Sequence, residues 1–353
     1  MEGMVNPAAW SGKKVLVTGH TGFKGSWLCH WLADMGAEVT GYALLPTSAH
    51  ALFDCIDLND RVSSIIADIN DEKRLSEVVR ECSPDVVFHL AAQSLVRLGY
   101  QNPVETFTTN VVGTANVLNA LQAVDHACDV VIITSDKCYL NTGEADFFAE
   151  DDPLGGYDPY SASKACAEIV TASFRQSYFE KGQIGVSSAR AGNVIGGGDW
   201  ADDRLIPDMI RAWGDNKPLK VRNPGAVRPW QHVLEPLSGY LMLAEKMRID
   251  PESRRAWNFG PRDEDMIPVM EVLKKVQATC PEIEFECTSD NGPHEAAILK
   301  LDSTRARRDL GWEPRWCVDD AVNETMAWYR AWRAGNDMVE LTSAQISRYC
   351  ESP

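Results

Sequence analysis

Lys14-Val15-Leu16-Val17-Thr18 runs without a break into Gly19-His20-Thr21-Gly22-Phe23-Lys24-Gly25. The first five residues read as a buried strand. The glycines are spaced G-x-x-G-x-x-G, and a helical stretch over residues 26–35 follows. Strand, tight turn and helix in that order make the phosphate-cradling unit of dinucleotide-binding folds. Glycine lets the backbone turn tightly and come close to a pyrophosphate, and the helix N-terminus offers unpaired N–H groups. The spacing departs from the commoner G-x-G-x-x-G, and a tight turn with no ligand would use the same glycines.

Outward from this unit, apolar runs at 38–42, 64–67, 85–90 and 130–134 read as further strands. Amphipathic patterns at 72–81 and 103–123 read as helices between them. Strands alternating with helices at this spacing imply βαβ units and a parallel sheet, an α/β Rossmann-type doubly wound fold. The pattern changes after about residue 190. Gly196-Gly197-Gly198, Asn223-Pro224-Gly225 and Arg228-Pro229 mark loops, and a helix over 235–248 precedes a strand-like 256–259. We expect a nucleotide-binding domain over 10–190 with returning segments near 229–261. A smaller, interleaved C-terminal substrate-binding lobe should span 191–335, with a tail over 336–353.

Composition narrows the function. Of 353 residues, 44% are hydrophobic and 24% charged, which is ordinary for a globular protein. The formal charge of -17 argues against nucleic acid and anionic membranes as partners. An anionic small substrate would need a local exception to that field. The ten cysteines include no C-x-x-C and the seven histidines no H-E-x-x-H, so no metal site is expected. Scattered free thiols suit a reducing cytoplasm. The first residues show no apolar signal segment, and no apolar run approaches the roughly 18 residues of a membrane span.

Two segments carry candidate chemistry. Tyr160 and Lys164 are four residues apart in a helical stretch opened by Asp158-Pro159, so they share a face. A tyrosinate is a good base for a hydroxyl, and a lysine cation one turn away would lower its pKa from about 10. The fifth strand runs into Thr134-Ser135-Asp136-Lys137-Cys138-Tyr139. Ligands bind at the carboxyl ends of parallel strands, so Ser135, Asp136 and Lys137 emerge where a substrate would meet a nicotinamide. The second strand ends Gly41-Tyr42-Ala43-Leu44, without the carboxylate that usually binds the ribose. NAD is the expected cofactor, with NADP left open and loose binding anticipated. Asp68 and Ile69 are candidates for an adenine contact, with a turn cap as the other role for Asp68.

The glycine loop, His89-Leu90-Ala91-Ala92-Gln93, Asn110 and the Tyr160/Lys164 pair together resemble the extended short-chain dehydrogenase/reductase family. Thr134–Tyr139 and the segments 155–164, 189–200, 228–240, 257–261 and 293–296 are similar to nucleotide-sugar 4,6-dehydratases of that family that act on CDP-glucose. The likeness spans roughly residues 10–335, and the segments 189–200 and 228–240 are far more specific than the glycine loop.

The resemblance implies NAD held by Gly19, Thr21, Gly22, Phe23, Lys24, Gly25, Asp68, Ile69, Leu90, Ala91, Ala92, Gln93, Asn110, Tyr160 and Lys164. It implies oxidation at C4 with Tyr160 as base, loss of water across C5 and C6, and return of the hydride to C6. Ser135 would hydrogen-bond the C4 oxygen, and Asp136 would protonate the leaving C6 hydroxyl. The related dTDP-glucose enzymes have a glutamate as C5 base where this chain has Lys137. We therefore expect Asp136 and Lys137 to form a coupled pair sharing one proton.

The window 186–235 holds seven basic residues against six acids, the local exception sought above. By resemblance, Asn193, Arg204 and Arg228 lie near the diphosphate, and His294 and Glu295 near the nucleotide end. Gln231 and Gln93 also contact substrate, and His232 lines the pocket. A surface ion pair is the other role open to Arg204 and Arg228, and a structural one to His294. Cytosine recognition rests on the resemblance alone. The family also implies a homodimer through a four-helix interface and a place in the deoxysugar supply for O-antigen and lipopolysaccharide. A nucleotide-sugar 4-epimerase, a dehydratase for another sugar nucleotide and a non-catalytic dinucleotide sensor remain alternatives.

Overall fold

The computed structural model describes residues 4–143, 147–180, 182–288 and 298–352. Its centre is a sheet of seven strands: β1 (Lys14–Thr18), β2 (Glu38–Ala43), β3 (Ser63–Ile66), β4 (Val86–His89), β5 (Cys128–Ile133), β6 (Ile184–Arg190) and β7 (Ala256–Asn258). They lie side by side in the order β7-β6-β5-β4-β1-β2-β3, and every pairing is parallel. The order reverses between β1 and β4. That switch point is where open α/β sheets form their ligand crevice.

Period-two alternation divides the core between the two faces of the sheet. Val15, Val17, Phe88, Val131 and Ile133 pack on one side. Leu16, Val87, Val130, Ile132 and Val186 pack on the other. On the first face lie α1 (Phe23–Asp34) and a later helix, Leu234–Ile249, which is buried on nearly all sides. On the second lie α2 (Glu72–Cys82) and α3 (Gly113–Leu121). Helix α4 (Pro159–Phe174) carries Tyr160 and Lys164. Asp158 caps its N-terminus by accepting from Ser161 N at 3.0 Å, and Pro159 takes the first helical position.

Three features differ from the sequence reading. The helix expected over 103–123 is broken into Pro103–Phe107, a π-turn at Thr108–Val112, and α3. The π-turn contains Asn110, whose carbonyl accepts from Thr114 Oγ1 at 2.7 Å. Strand β6 has no plain apolar pattern because Ser187, Ser188 and Arg190 interrupt it. Those side chains are buried and hydrogen-bonded, so the strand tolerates them. Residues 336–353, expected as a tail, carry a helix, Met338–Glu351. Its Tyr349 is buried against Trp31 of α1 and bonds to Glu235 Oε2 at 2.8 Å.

The second lobe rises from the carboxyl end of β6. It contains short strand pairs, Val194–Ile195 with Gln231–His232 and Val227–Pro229 with Met266–Pro268. Beyond these pairs, β7 and the helix Leu234–Ile249 return to the main sheet.

Candidate active site

The glycine loop is shaped by close approach. Gly19 has φ +77°, and a Cβ there would lie 2.7 Å from Ala91 N in the loop after β4. A Cβ at Gly25 would lie 2.1 Å from Gly19 O. Both glycines are thus demanded by the fold. No side chain caps the first turn of α1, so its amides remain available to an anion. Thr21 donates to Leu44 O at 2.8 Å, and Phe23 packs half-buried on the core. The cradle fits a dinucleotide pyrophosphate. At the end of β2, Tyr42 donates to Asp68 O, and no carboxylate is present for the ribose.

Several expected cofactor residues brace the loop. Asn110 is buried, accepts from Gln93 N at 2.8 Å, and donates to Gln93 O at 2.9 Å and Ser163 Oγ at 2.8 Å. Ser163 Oγ in turn donates to Tyr160 O. Asn110 therefore ties the loop Leu90–Gln93 to the catalytic helix. The amide of Gln93 is engaged by Thr106 Oγ1 and Leu95 N. The side chain of Ile69 belongs to the core, and Asp68 Oδ1 closes a turn with Asn70 N at 2.9 Å. The side chains of Gln93, Asn110 and Ile69 are thus engaged within the fold.

At the end of β5 the candidate catalytic groups converge. Ser135 Oγ donates to Asp136 Oδ1 at 2.9 Å. Asp136 is 2% exposed, and its Oδ2 has no hydrogen-bond partner. Burial pushes the Tyr160 phenol up to about 12, while a hydrogen bond with Ser135 and the charge of Arg204 pull it down. Lys164 Nζ donates to Ile133 O at 3.2 Å, and burial lowers its pKa to about 8 against the opposing charge of Glu168. Lys24, half-buried in the first turn of α1, lies within electrostatic reach of Asp136, Lys164, Arg204 and Asp199. Burial and the Arg204 charge bring it down to about 7.

The expected Asp136–Lys137 pair does not form. No ion pair joins them, and Asp136 takes its hydrogen bond from Ser135. Lys24 is a lysine within the field of Asp136.

The basic window is more neutralised than its count implies. Arg190 is buried against Glu168 at 2.8 Å, away from the cleft. Arg211 pairs with Asp202 and Asp208, Arg222 with Asp203, and Lys217 with Asp215. Arg204 pairs with Asp199 at 2.9 Å yet reaches Ser94 Oγ at 2.9 Å and feels Tyr160, so it does face the cleft. Arg228 is buried and donates to Val227 O. Asn193 holds a left-handed φ of 46° and accepts from Gln231 N. Gln231 Nε2 donates to Phe259 O, and its Oε1 is unpartnered. His232 is buried between Trp27 and Trp316. His294 and Glu295 lie outside the described residues.

Three participants escaped the sequence reading. A Cβ at Gly192 would lie 1.8 Å from Asp136 Oδ2, so this glycine makes room for the carboxylate. Tyr240 is buried with an unpartnered hydroxyl, in the field of Tyr160 and Asp136. Glu168 follows Lys164 by one turn, a spacing that was visible in the sequence.

The architecture matches solved structures across nearly the whole chain. An epimerase from Methanothermobacter thermautotrophicus aligns with TM-score 0.80 at 24% identity, covering 93% of this chain and 95% of its own. A dTDP-glucose 4,6-dehydratase from Bacillus anthracis in complex with NAD aligns with TM-score 0.76 at 21% identity, covering 92% and 99%. In sequence, the CDP-glucose 4,6-dehydratase of Salmonella typhimurium is 47% identical over 98% of both chains. The dTDP-glucose 4,6-dehydratase of Neisseria gonorrhoeae is 28% identical over 90% of this chain and 95% of its own. The model of the GDP-mannose 4,6 dehydratase family matches residues 16–325. With a tyrosine, a lysine, a serine and a buried aspartate gathered at the carboxyl end of β5, and with that match over most of its length, the chain belongs to the GDP-mannose 4,6 dehydratase family of nucleotide-sugar enzymes.

Proposed function

We propose that the chain dehydrates CDP-glucose to CDP-4-keto-6-deoxyglucose with NAD as a cofactor that is reduced and restored within each turnover. The carrying observation is the unpartnered carboxylate oxygen of Asp136 beside Tyr160. A 4-epimerase needs chemistry at C4 only, whereas loss of the C6 hydroxyl needs a proton donor as well. The identity to the Salmonella relative supports CDP-glucose as substrate, and the NAD complex of the Bacillus anthracis neighbour supports the cofactor.

Tyr160 would take the C4 hydroxyl proton. Its phenol is pushed to about 12 in the protein alone, so Ser135 and Arg204 must be helped by the positive cofactor ring. The chemistry that bound NAD supplies is hydride acceptance at C4 and hydride return at C6. Ser135 holds the C4 oxygen, and Asp136 delivers a proton to the departing C6 oxygen. Lys137 is the proposed C5 base, held near the site by the turn Asp136–Cys138. Arg204 and Asn193 would orient the diphosphate, with Arg228, Gln231, His294 and Glu295 toward the nucleotide.

The same reading includes a cytoplasmic homodimer that supplies deoxysugar precursors for O-antigen. Val104 is 78% exposed in the helical segment before α3, and Ile169 is 57% exposed on α4, which suits a helix-helix interface. Incubation with NAD and CDP-, dTDP-, GDP- or UDP-glucose tests the assignment. Mass spectrometry should find one water lost from CDP-glucose. A product of unchanged mass with inverted C4 would establish an epimerase instead.

A further inference from the structure

Behind the reacting groups lies a buried charge pair that the reaction does not consume. Glu168 follows Lys164 on the same face of α4 and is 3% exposed. Its Oε1 accepts from Thr134 Oγ1, the residue immediately before Ser135 and Asp136. Its Oε2 accepts from Ser188 Oγ at 2.6 Å and from Arg190 Nη2 at 2.8 Å, both on β6. Arg190 also donates to Tyr139 Oη at 2.7 Å, at the far end of the segment that holds the catalytic turn. Tyr139 passes the chain on to Asn258 Oδ1 on β7 at 2.7 Å. One carboxylate thus joins α4, the end of β5 and the end of β6, and the segment Thr134–Tyr139 is gripped at both ends.

We propose that Glu168 is a positioning residue for the dehydration: it fixes the chain segment that presents Ser135 and Asp136, and it places a carboxylate one turn from Lys164 on the same face of α4. The proposal rests on the dehydratase reading for its substrate, but its geometry is independent of which sugar nucleotide is bound.

The electrostatics agree with the geometry. Burial opposes charge on Glu168, yet Arg190 and the three hydrogen bonds more than offset it, and the carboxyl stays below its usual range. Burial lowers the Lys164 pKa, and Glu168 is the largest influence in the other direction. The other groups around Lys164 are Tyr160 one turn earlier on α4, Cys138 after β5, His89 on β4, Lys24 on α1, and Arg190 of β6, which is paired with Glu168. His89 is buried, pushed down to about 3, and therefore neutral. Cys138 is pushed up by burial and is also neutral. Lys24 repels Lys164. Among these groups, Glu168 supplies the negative charge.

The test is the pH profile of kcat/KM for Glu168→Gln and Thr134→Val, taken on whichever nucleotide sugar the wild-type protein turns over. Glu168→Gln removes the charge while keeping most of the shape. Lys164 should then lose its proton at lower pH, and the alkaline limb should move down by about one unit or more. An unmoved limb overturns the proposal even if activity falls, because loosened packing alone does not shift a titration. Thr134→Val removes one hydrogen bond and leaves the charge in place. It should lower kcat by about tenfold or more with the limb unmoved, and an unchanged kcat would overturn the positioning half. The Val variant disturbs little volume, so this arm remains decisive if Glu168→Gln does not fold. Failure of the wild-type protein to act on CDP-glucose would count against the substrate assignment and not against Glu168.

Discussion

The two sides of the catalytic face of α4 contrast in how their polar atoms are used. On the inner side, Glu168, Tyr139, Asn258, Asn110, Gln93 and Ser163 are tied into hydrogen-bond networks, and Arg190 joins them through both Nη atoms while its Nε stays unpaired. On the cleft side, Asp136 Oδ2, Gln231 Oε1 and the Tyr240 hydroxyl are buried with no partner. Buried polar groups are normally paired, and leaving one unmade costs about 1–3 kcal/mol. The inner side therefore holds the fold, while the cleft side keeps groups in reserve for ligand and reaction. Variants of the two sides should fail in different ways: the cleft loses turnover with stability intact, and the frame loses stability first.

The largest effect is expected from Tyr160→Phe. The hydroxyl is the proposed base, and the ring that fills the site is kept. Turnover of CDP-glucose should fall by about 10³-fold or more, with an unchanged thermal midpoint. Near-normal turnover would place the base elsewhere and remove the contrast at its centre.

Gly192→Ala comes next. Its new methyl would collide with the Asp136 carboxylate, 1.8 Å away, so the acid must move. Water loss should drop by about 100-fold while C4 oxidation survives, seen as reduced cofactor that accumulates on mixing with substrate. If oxidation and water loss fall together, Asp136 serves both steps and the division of labour is wrong.

On the frame side, Asn110→Ala should strand the amide of Gln93 and free Ser163 Oγ. Stability in urea should fall by about 2 kcal/mol. Activity should follow only as the fraction folded falls. A large loss of activity in a fully folded variant would make Asn110 a ligand contact, as the sequence implied.

Legibility follows the same divide. The run Lys14–Thr18 with its glycines, and the alternation of strands and helices after it, were readable because backbone sterics and burial impose a period on the sequence. Ser135, Asp136, Tyr160 and Lys164 were readable because strand ends and one helix face collect them. Roles set by a partner far along the chain were not. Nothing local distinguishes Gly192 as the space for Asp136, or Asn110 as the brace between Gln93 and Ser163. Counting charges over 186–235 failed for a similar reason: Arg190, Arg211 and Arg222 find carboxylates in space, and a sum along the chain cannot see pairing. Lys137 looked like the partner of Asp136 because it is adjacent in sequence, whereas Lys24 reaches that field from the other end of the domain.

Lys24 gives the finest test of the contrast, because it is a cation on the cleft side. Arg204, Lys164, Asp136 and Asp199 surround it, and its ammonium is held down to about 7 by burial and by Arg204. Below that pH it is charged, and a second positive charge entering the cleft is opposed. The nicotinamide ring is positive in NAD⁺ and neutral in NADH, while the pyrophosphate is common to both. The ratio of NAD⁺ to NADH affinity therefore isolates the ring charge. At an effective dielectric near 20, a unit charge roughly 10 Å away contributes about 1.7 kcal/mol, so the ratio should rise by about tenfold as pH climbs through 7. Lys24→Met should abolish that step and leave any later one belonging to Lys164, near 8. Titration calorimetry of both cofactor forms across this range reads the ratio without turnover. A flat ratio in the wild-type protein would mean that Lys24 turns to the pyrophosphate when the cofactor binds, making it part of the cradle and not of the cleft.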